Sequence, residues 1–206
     1  MAGFILSDKP RGEYKIAPAG VHSAVVDQII DLGKQPSMNP AYKPTEQLYI
    51  RWQIPGERIS YEKDGVTVDG PMTISKQFTK SLNEKSNLRK FLEAFRGRPF
   101  TKDELKKFDI SKIVGAPCQL LVAHETKGEK TRALISAVMP LTKGTPAPRV
   151  EGQTLLYSPA AHDDGAYERL PNWLKEKIAQ RIDDTPAPVA REPGSDDDLG
   201  DSEVPF

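Results

Sequence analysis

Apolar and polar positions alternate most cleanly at Gln47-Leu-Tyr-Ile-Arg-Trp-Gln-Ile54. A strand turns successive side chains to opposite faces, so Leu48, Ile50, Trp52 and Ile54 share one side, and Tyr49, Arg51 and Gln53 the other. Upstream, Gly20 to Leu32 is rich in β-branched residues and partly alternating, which predicts a long first strand ended by Gly33. Between the two lies Lys34 to Glu46, where Pro36, Pro40 and Pro44 predict a long loop carrying Tyr42 and Lys43. Pro55-Gly56 stops the second strand, and Ile59 to Asp69 forms an excursion hairpin about the Asp64-Gly65 turn. A third strand, Met72 to Lys80, places Ile74, Lys76, Phe78 and Lys80 on one side and Thr73, Ser75, Gln77 and Thr79 on the other.

The period then lengthens from two to 3.6. Ser81-x-x-Glu84 has the spacing of a capping box, and Leu88, Phe91, Leu92 and Phe95 follow as one apolar helical stripe, with Gly97 as its C-terminal stop. Thr101-x-x-Glu104 opens a shorter helix through about Phe108. Cys118 to His124 is again strand-like, the Thr126-Lys-Gly-Glu129 turn follows, and a last strand runs from Thr131 to Met139, closed by Pro140. Leu141 to Asp164 reads as linker, and Leu170 to Ile182 carries Leu174, Ile178 and Ile182 on one face of a short amphipathic helix that begins near Pro171. Three strands, a helix and two strands is the element order of an OB-fold, a mainly β class in which the helix plugs one end of a five-stranded barrel. The predicted organisation is a lead-in at 1–19, a barrel domain at 20–142, a linker with a short helix at 143–185 and a disordered tail at 186–206.

Composition changes this picture at the C-terminus. Hydrophobic residues make up 37% of the chain and mean hydropathy is -0.53, so part of it is expected to stay outside any core. Ser195 to Phe206 holds five acids and no Lys or Arg, too little apolar surface to offset the entropy of ordering. Formal charge is zero overall, yet residues 1–194 hold 29 Lys and Arg against 24 acids, a body of about +5. A basic body with an acidic tail suggests a polyanionic partner. Solvated surface charge beside a solubilising tail is the plainer alternative.

The single Cys118 allows no internal disulfide or cysteine zinc cluster, and His22, His124 and His162 stand in no metal-type spacing. His22 with Asp27 and Asp31, or His124 with Glu125, lacks an accompanying nucleophile elbow, phosphate loop or metal motif, so the expectation is a non-enzyme without cofactor or metal. No apolar run reaches the roughly 18–20 residues of a membrane span, and Met1 to Pro10 lacks the layout of a signal peptide. A reducing cytoplasm is the expected compartment.

Single-strand binding combines cations along the phosphates with flat rings under the bases. Tyr49, Arg51, Lys76, Phe78 and Lys80 on the strands meet that description, as do Lys34 and Tyr42 in the first loop and Lys127, Lys130 and Arg132 at the last hairpin. Phe78 serves equally well as core, since Ile74 shares its face, and Tyr49 as an idle surface ring. Each cation, including Arg89, Lys90 and Arg96 of the helix, has solvated charge as its ordinary alternative.

The run Ser81-Leu-Asn-Glu-Lys-Ser-Asn-Leu-Arg-Lys-Phe-Leu-Glu-Ala-Phe-Arg-Gly-Arg-Pro-Phe-Thr101, followed by Ile113-Val-Gly-Ala-Pro-Cys118, resembles a family of tailed-bacteriophage OB-fold single-stranded DNA-binding proteins, over roughly residues 18–142. The tail separately resembles the acidic, Phe-terminated tails of bacterial and phage single-strand binders, with Ser202-Glu203-Val204 interrupting the usual acidic run. The resemblance implies a sequence-independent protein acting in phage replication or recombination, in the cytoplasm of the host cell. It would recruit replication or recombination partners through Asp196, Asp197, Asp198, Asp201, Glu203, Pro205 and Phe206. An oligomer is compatible with this reading, and a membrane partner is not expected. The alternative is a phage OB-fold interaction or assembly protein that holds another protein, through the Pro-rich loop and the Leu170 to Ile182 helix. A tethered polyanion competes with DNA for a basic surface, so deleting Ser195–Phe206 should tighten oligonucleotide binding at low salt. Equal affinities of full-length and truncated protein in a titration would contradict that competition.

Overall fold

The strand nearest the N-terminus, β1 (Gly20–Gln35), is the one on which the sheet is assembled. The computed structural model describes residues 15–37, 39, 41–63 and 66–182, so most of the lead-in and the whole acidic tail, with its seven expected partner-binding residues, lie outside the described residues. β2 (Thr45–Lys63) and β3 (Val66–Thr79) form a long antiparallel hairpin, and β4 (Pro117–Lys127) and β5 (Lys130–Pro140) a second. The strand order is β3-β2-β1-β4-β5. The short β6 (Leu155–Tyr157) adds parallel to β1, in register from Gln28↔Leu155 to Ile30↔Tyr157, beyond the point where β4 leaves that edge.

β1 is buried from Ala24 to Ile30 without interruption. A strand covered on both faces loses clean alternation, and a β-bulge supplies the change of phase. Pairing with β2 slips between Val26 and Gln28, at Asp27. Ala24 and Val26 before the slip and Ile29 after it point to one core, whereas Ile30 and Leu32 point to the other. One extra residue in a strand moves every later side chain to the opposite face. A second slip lies between Asp31 and Gly33, where Gly33 takes φ 69° and its N–H donates to Asp31 Oδ1 at 3.0 Å. A Cβ on Gly33 would meet Arg181 Cδ at 3.0 Å, so the glycine both turns the strand and lets the C-terminal chain pass. The strand continues through this bulge to Gln35 instead of ending at Gly33.

The inner core is the concave side of the sheet, filled by Leu48, Ile50, Trp52 and Ile54 of β2, Ile74 and Phe78 of β3, and Leu120 and Val122 of β4. α1 (Asn87–Arg96) covers its open end with Leu88, Phe91, Leu92 and Phe95, as the stripe predicted. The N-cap, however, is Ser86, whose Oγ accepts from Arg89 N at 3.2 Å. Ser81 instead accepts from Asn83 N at 3.1 Å in a turn, and the Ser86 hydroxyl donates to the Ser81 carbonyl, so the local turn delays the helix start. Gly97 ends α1 at φ 67°, where a Cβ would stand 2.7 Å from Pro140 Cγ. The Thr101–Glu104 capping box does open α2 (Lys102–Lys106), which stops short of Phe108 as that ring packs on Phe100 with centroids 4.9 Å apart.

A second core lies on the convex side of β1 and β2, built from the segment expected to be a linker with a short amphipathic helix. β6, α3 (Asp164–Glu168) and α4 (Asn172–Ala179) deliver Leu155, Tyr157, Leu170, Leu174 and Ile178 onto Ile30, Leu32 and Tyr49. Ile182, the third member of the expected stripe, lies past the helix and is 40% exposed, with its N–H bonded to Lys34 O at 2.8 Å. Gln35, itself buried, donates to Lys177 O at 3.0 Å and pins the end of α4 to β1. Among the described residues no helix is long and apolar enough to cross a membrane. Since Leu174 is fully buried in this outer core, Leu174→Ala should lower unfolding stability by about 2–5 kcal/mol, measured by urea denaturation. A change near zero would mean that the C-terminal segment is not part of the cooperative fold.

Candidate nucleic-acid interface

The convex face of β2 was the expected ligand surface, and the chain's own C-terminal segment lies on it. Tyr49 is 5% exposed, with its ring edge-on to Trp173 of α4 at 5.4 Å. Gln53 takes both polar groups of the Glu151 backbone, accepting from Glu151 N at 2.8 Å and donating to Glu151 O at 3.0 Å. This two-point grip starts the C-terminal segment on its path over the sheet. Arg51 donates through Nε and Nη2 to the fully buried Asp27, at 3.0 and 2.6 Å to Oδ2, and Gln53 Nε2 adds a third contact at 3.2 Å. The alternation therefore identified the face, and the packing converts Tyr49 and Arg51 into structural contacts.

On the other side of the sheet, β3 and β5 form the two edges of the strand order and share no backbone ladder. A side-chain hydrogen bond ties them: Lys76 Nζ donates to Ile135 O at 3.0 Å and lies 5.7 Å from the Phe78 ring centre. A hollow opens on each side of this tie. The larger, about 890 Å³, is lined by Lys76 and Phe78 of β3, Lys85 and Ser86 before α1, Lys90 and Phe91 of α1, and Ser136 to Val138 of β5. The other, about 730 Å³, lies between Met72 to Ser75 of β3 and Arg132 and Ala133 of β5, with Lys15 and Arg51 at its rim. Both strands are met in the same chain order from one hollow to the next, so β3 and β5 run in the same direction across the seam.

Among the described residues no carboxylate lines either hollow, and Lys76, Lys85 and Lys90 line the larger. Its floor includes Phe78 and Phe91, whose ring centroids are 4.9 Å apart. Both rings are buried, Phe78 at 5% exposure, so Phe78 is core and offers at most an edge to a ligand. Lys85 was not anticipated. It lies in a turn before α1, outside any periodic pattern, and only the fold brings it beside Lys76.

The remaining expected cations divide by partner. Lys80 sits 2.6 Å from Asp31 and 3.6 Å from Glu46; burial works against its ammonium, but hydrogen bonds and charge from these two carboxylates outweigh it and raise its pKa. Arg132 pairs with Glu125 at 2.8 Å, and Arg89 with Glu93 at 3.0 Å. Arg96 and Arg98 share Glu104, whose carboxyl is held down at about 2, first by Arg98 and then by the Thr101 N–H. Lys127 and Lys130 face each other across the exposed β4–β5 turn. Lys34, expected in the first loop, lies instead within β1, paired with Glu46 of β2, and Tyr42, 69% exposed, is in the loop between these strands.

The histidines and the thiol have structural partners. His22 Nε2 lies 2.9 Å from Pro18 O and His124 Nε2 2.8 Å from Ala17 O, which fixes the chain entering β1, while His162 stands between Tyr157 and Asp164. Burial pushes the Cys118 thiol up to about 12, far from a reactive thiolate. Among the described residues no group of His, Cys, Asp or Glu could hold a metal ion. The buried Asp27 permits a direct test of the covered face. Asp27→Ala strips Arg51 and Gln53 of their shared acceptor and should cost about 3–5 kcal/mol of stability by urea denaturation; a cost near zero would release Arg51 as a free ligand contact.

Compared with known proteins, the chain matches no family model and no curated protein.

Proposed function

We propose that this chain is a non-enzymatic, sequence-independent single-stranded DNA-binding protein with an OB-fold-like barrel. It would protect strands exposed in phage replication or recombination and recruit partner proteins through its acidic tail. The observation that carries the reading is the larger seam hollow, which Lys76, Lys85 and Lys90 all line and, among the described residues, no carboxylate does. Lysines held together repel one another, so an unneutralised cluster is favoured only when an anion arrives. The parallel course of β3 and β5 supports the barrel reading, because a five-stranded barrel closes through that pair. The +5 charge of residues 1–194 supports a polyanion, and the acidic tail supports a competing one.

In mechanism, phosphates would follow the seam lysines while the bases face away from them. Released counterions make such binding fall with salt, at a log-log slope of about -0.7 per phosphate contacted on a single strand. Contacts to phosphate carry no sequence information, which accounts for binding without sequence preference.

A second reading, a protein-holding module, is favoured by one surface. Val21 and Leu121 face each other across β1 and β4 and are 56% and 37% exposed, with Met139 of β5 nearby at 37%. An apolar strip of this kind suits a protein partner better than a phosphate backbone.

Titration of labelled oligo-dT at low salt separates the two. Binding should prefer the single strand over duplex, and replacing Lys85 and Lys90 together with Ala should flatten the salt slope by about 1.4, two contacts' worth. Absence of any shift, or a preference for duplex, would overturn the proposal and leave the apolar strip as the better guide.

A further inference from the structure

Burying Tyr49 removes from the β2–β3 face the ring on which a base would stack, and α4 supplies another. Trp173, in the first turn of α4, is 47% exposed, and its indole is held edge-on against the Tyr49 ring at 5.4 Å and 74°. The other tryptophan, Trp52, is fully buried in the inner core. One turn after Trp173, Lys177 Nζ reaches Gln77 Oε1 at 2.7 Å, and Gln77 is the β3 residue opposite Tyr49 in register. α4 itself is pinned to β1, and it is the Lys177 side chain that reaches β3, where Gln77 also lines the larger seam hollow. Gln77 thus links the Lys177 ammonium to the hollow of the seam lysines, one strand over from the ring that backs the indole.

Large apolar side chains on a helix normally sit on its buried stripe, which here is Leu174 and Ile178. Trp173 is off that stripe, half in solvent, and backed by a buried ring that limits its rotation. A protein partner docking an apolar surface there would also cover the exposed Thr73, Ser75 and Gln77 of β3, whose polar groups would need replacement hydrogen bonds. A nucleobase covers only the indole face and leaves its phosphate to the lysines.

We propose that Trp173 is the base-stacking residue of this chain, contacting single-stranded DNA that also engages the seam lysines. The assignment rests on the single-strand reading above and replaces Tyr49 as the ring that serves it.

The test is a titration of the full-length protein with oligo-dT, read both by intrinsic fluorescence and by an anisotropy label on the DNA. Trp52 is buried, so solvent-exposed emission reports Trp173, and binding should quench it. Trp173→Ala should weaken binding about 10-fold, the effect of losing one stack, and Trp173→Phe should restore most of it. Retained Trp52 emission in both variants shows that the inner core is intact. Wild-type affinity in Trp173→Ala, or binding without quenching, overturns the Trp173 assignment and leaves single-strand binding standing. No binding by the wild type overturns both.

Discussion

Most of this structure depends on β1 being buried on both faces. An ordinary antiparallel strand has one wet side, and its sequence alternates. Here Ala24 to Ile30 are all buried, and the inner and outer cores meet at β1 and, through Tyr49, at β2. The bulge at Asp27 lets one sequence feed both, because the phase of the side chains reverses there. Asp27 itself is a fully buried carboxylate, and an unpaired one would be too costly to keep. Arg51 and Gln53 from β2 satisfy it, and Gln53 then grips the Glu151 backbone. The same group that disrupts the ladder organises the chain that covers it.

Covering the convex face has a consequence at the opposite end of the sheet. The edges of a curled sheet must be paired, covered or charged if they are not to pair with other chains. β1 and β2 gain their cover from β6 and α4, whereas β3 and β5 are left with α1 over one end and Lys76 across the gap. A side-chain tie at one point leaves room on both sides, which is why the seam holds two hollows instead of a closed ladder. Lysines along such an edge discourage strand addition and at the same time attract anions.

How much of this was legible follows from which signals are local. The α1 stripe, the Gly97 stop and the Thr101–Glu104 box depend on residues within a few positions of one another, and each was readable. The Ser81–Glu84 spacing was equally local and failed, because a second serine five residues on offered a better cap and the chain turned first. Alternation placed Tyr49 and Arg51 on the face away from Trp52, but periodicity says nothing about what covers a face. The missing signal was in β1, where Val25, Val26, Ile29 and Ile30 read as paired apolar runs, a mark of burial on both sides. The three residues of β6 were too short to register against a Pro-rich background. Trp173 had a signal that went unused: a large ring one position off the apolar stripe of Leu174 and Ile178.

Electrostatics narrow the candidate surface further than the net charge does. Of the cations read from sequence, Arg51, Lys80, Arg89, Arg96 and Arg132 all face carboxylates in this fold, so their charge is largely spent on the protein itself. Of those with no carboxylate partner among the described residues, Lys76 and Lys90 line the seam, where Lys85 joins them, and Lys127 and Lys130 lie at the β4–β5 turn. The N–H of Ile182 on Lys34 fixes where the described chain ends, beside the β1–β2 loop and one strand away from Lys80. The described chain therefore ends on the same side of the sheet as α4 and Trp173.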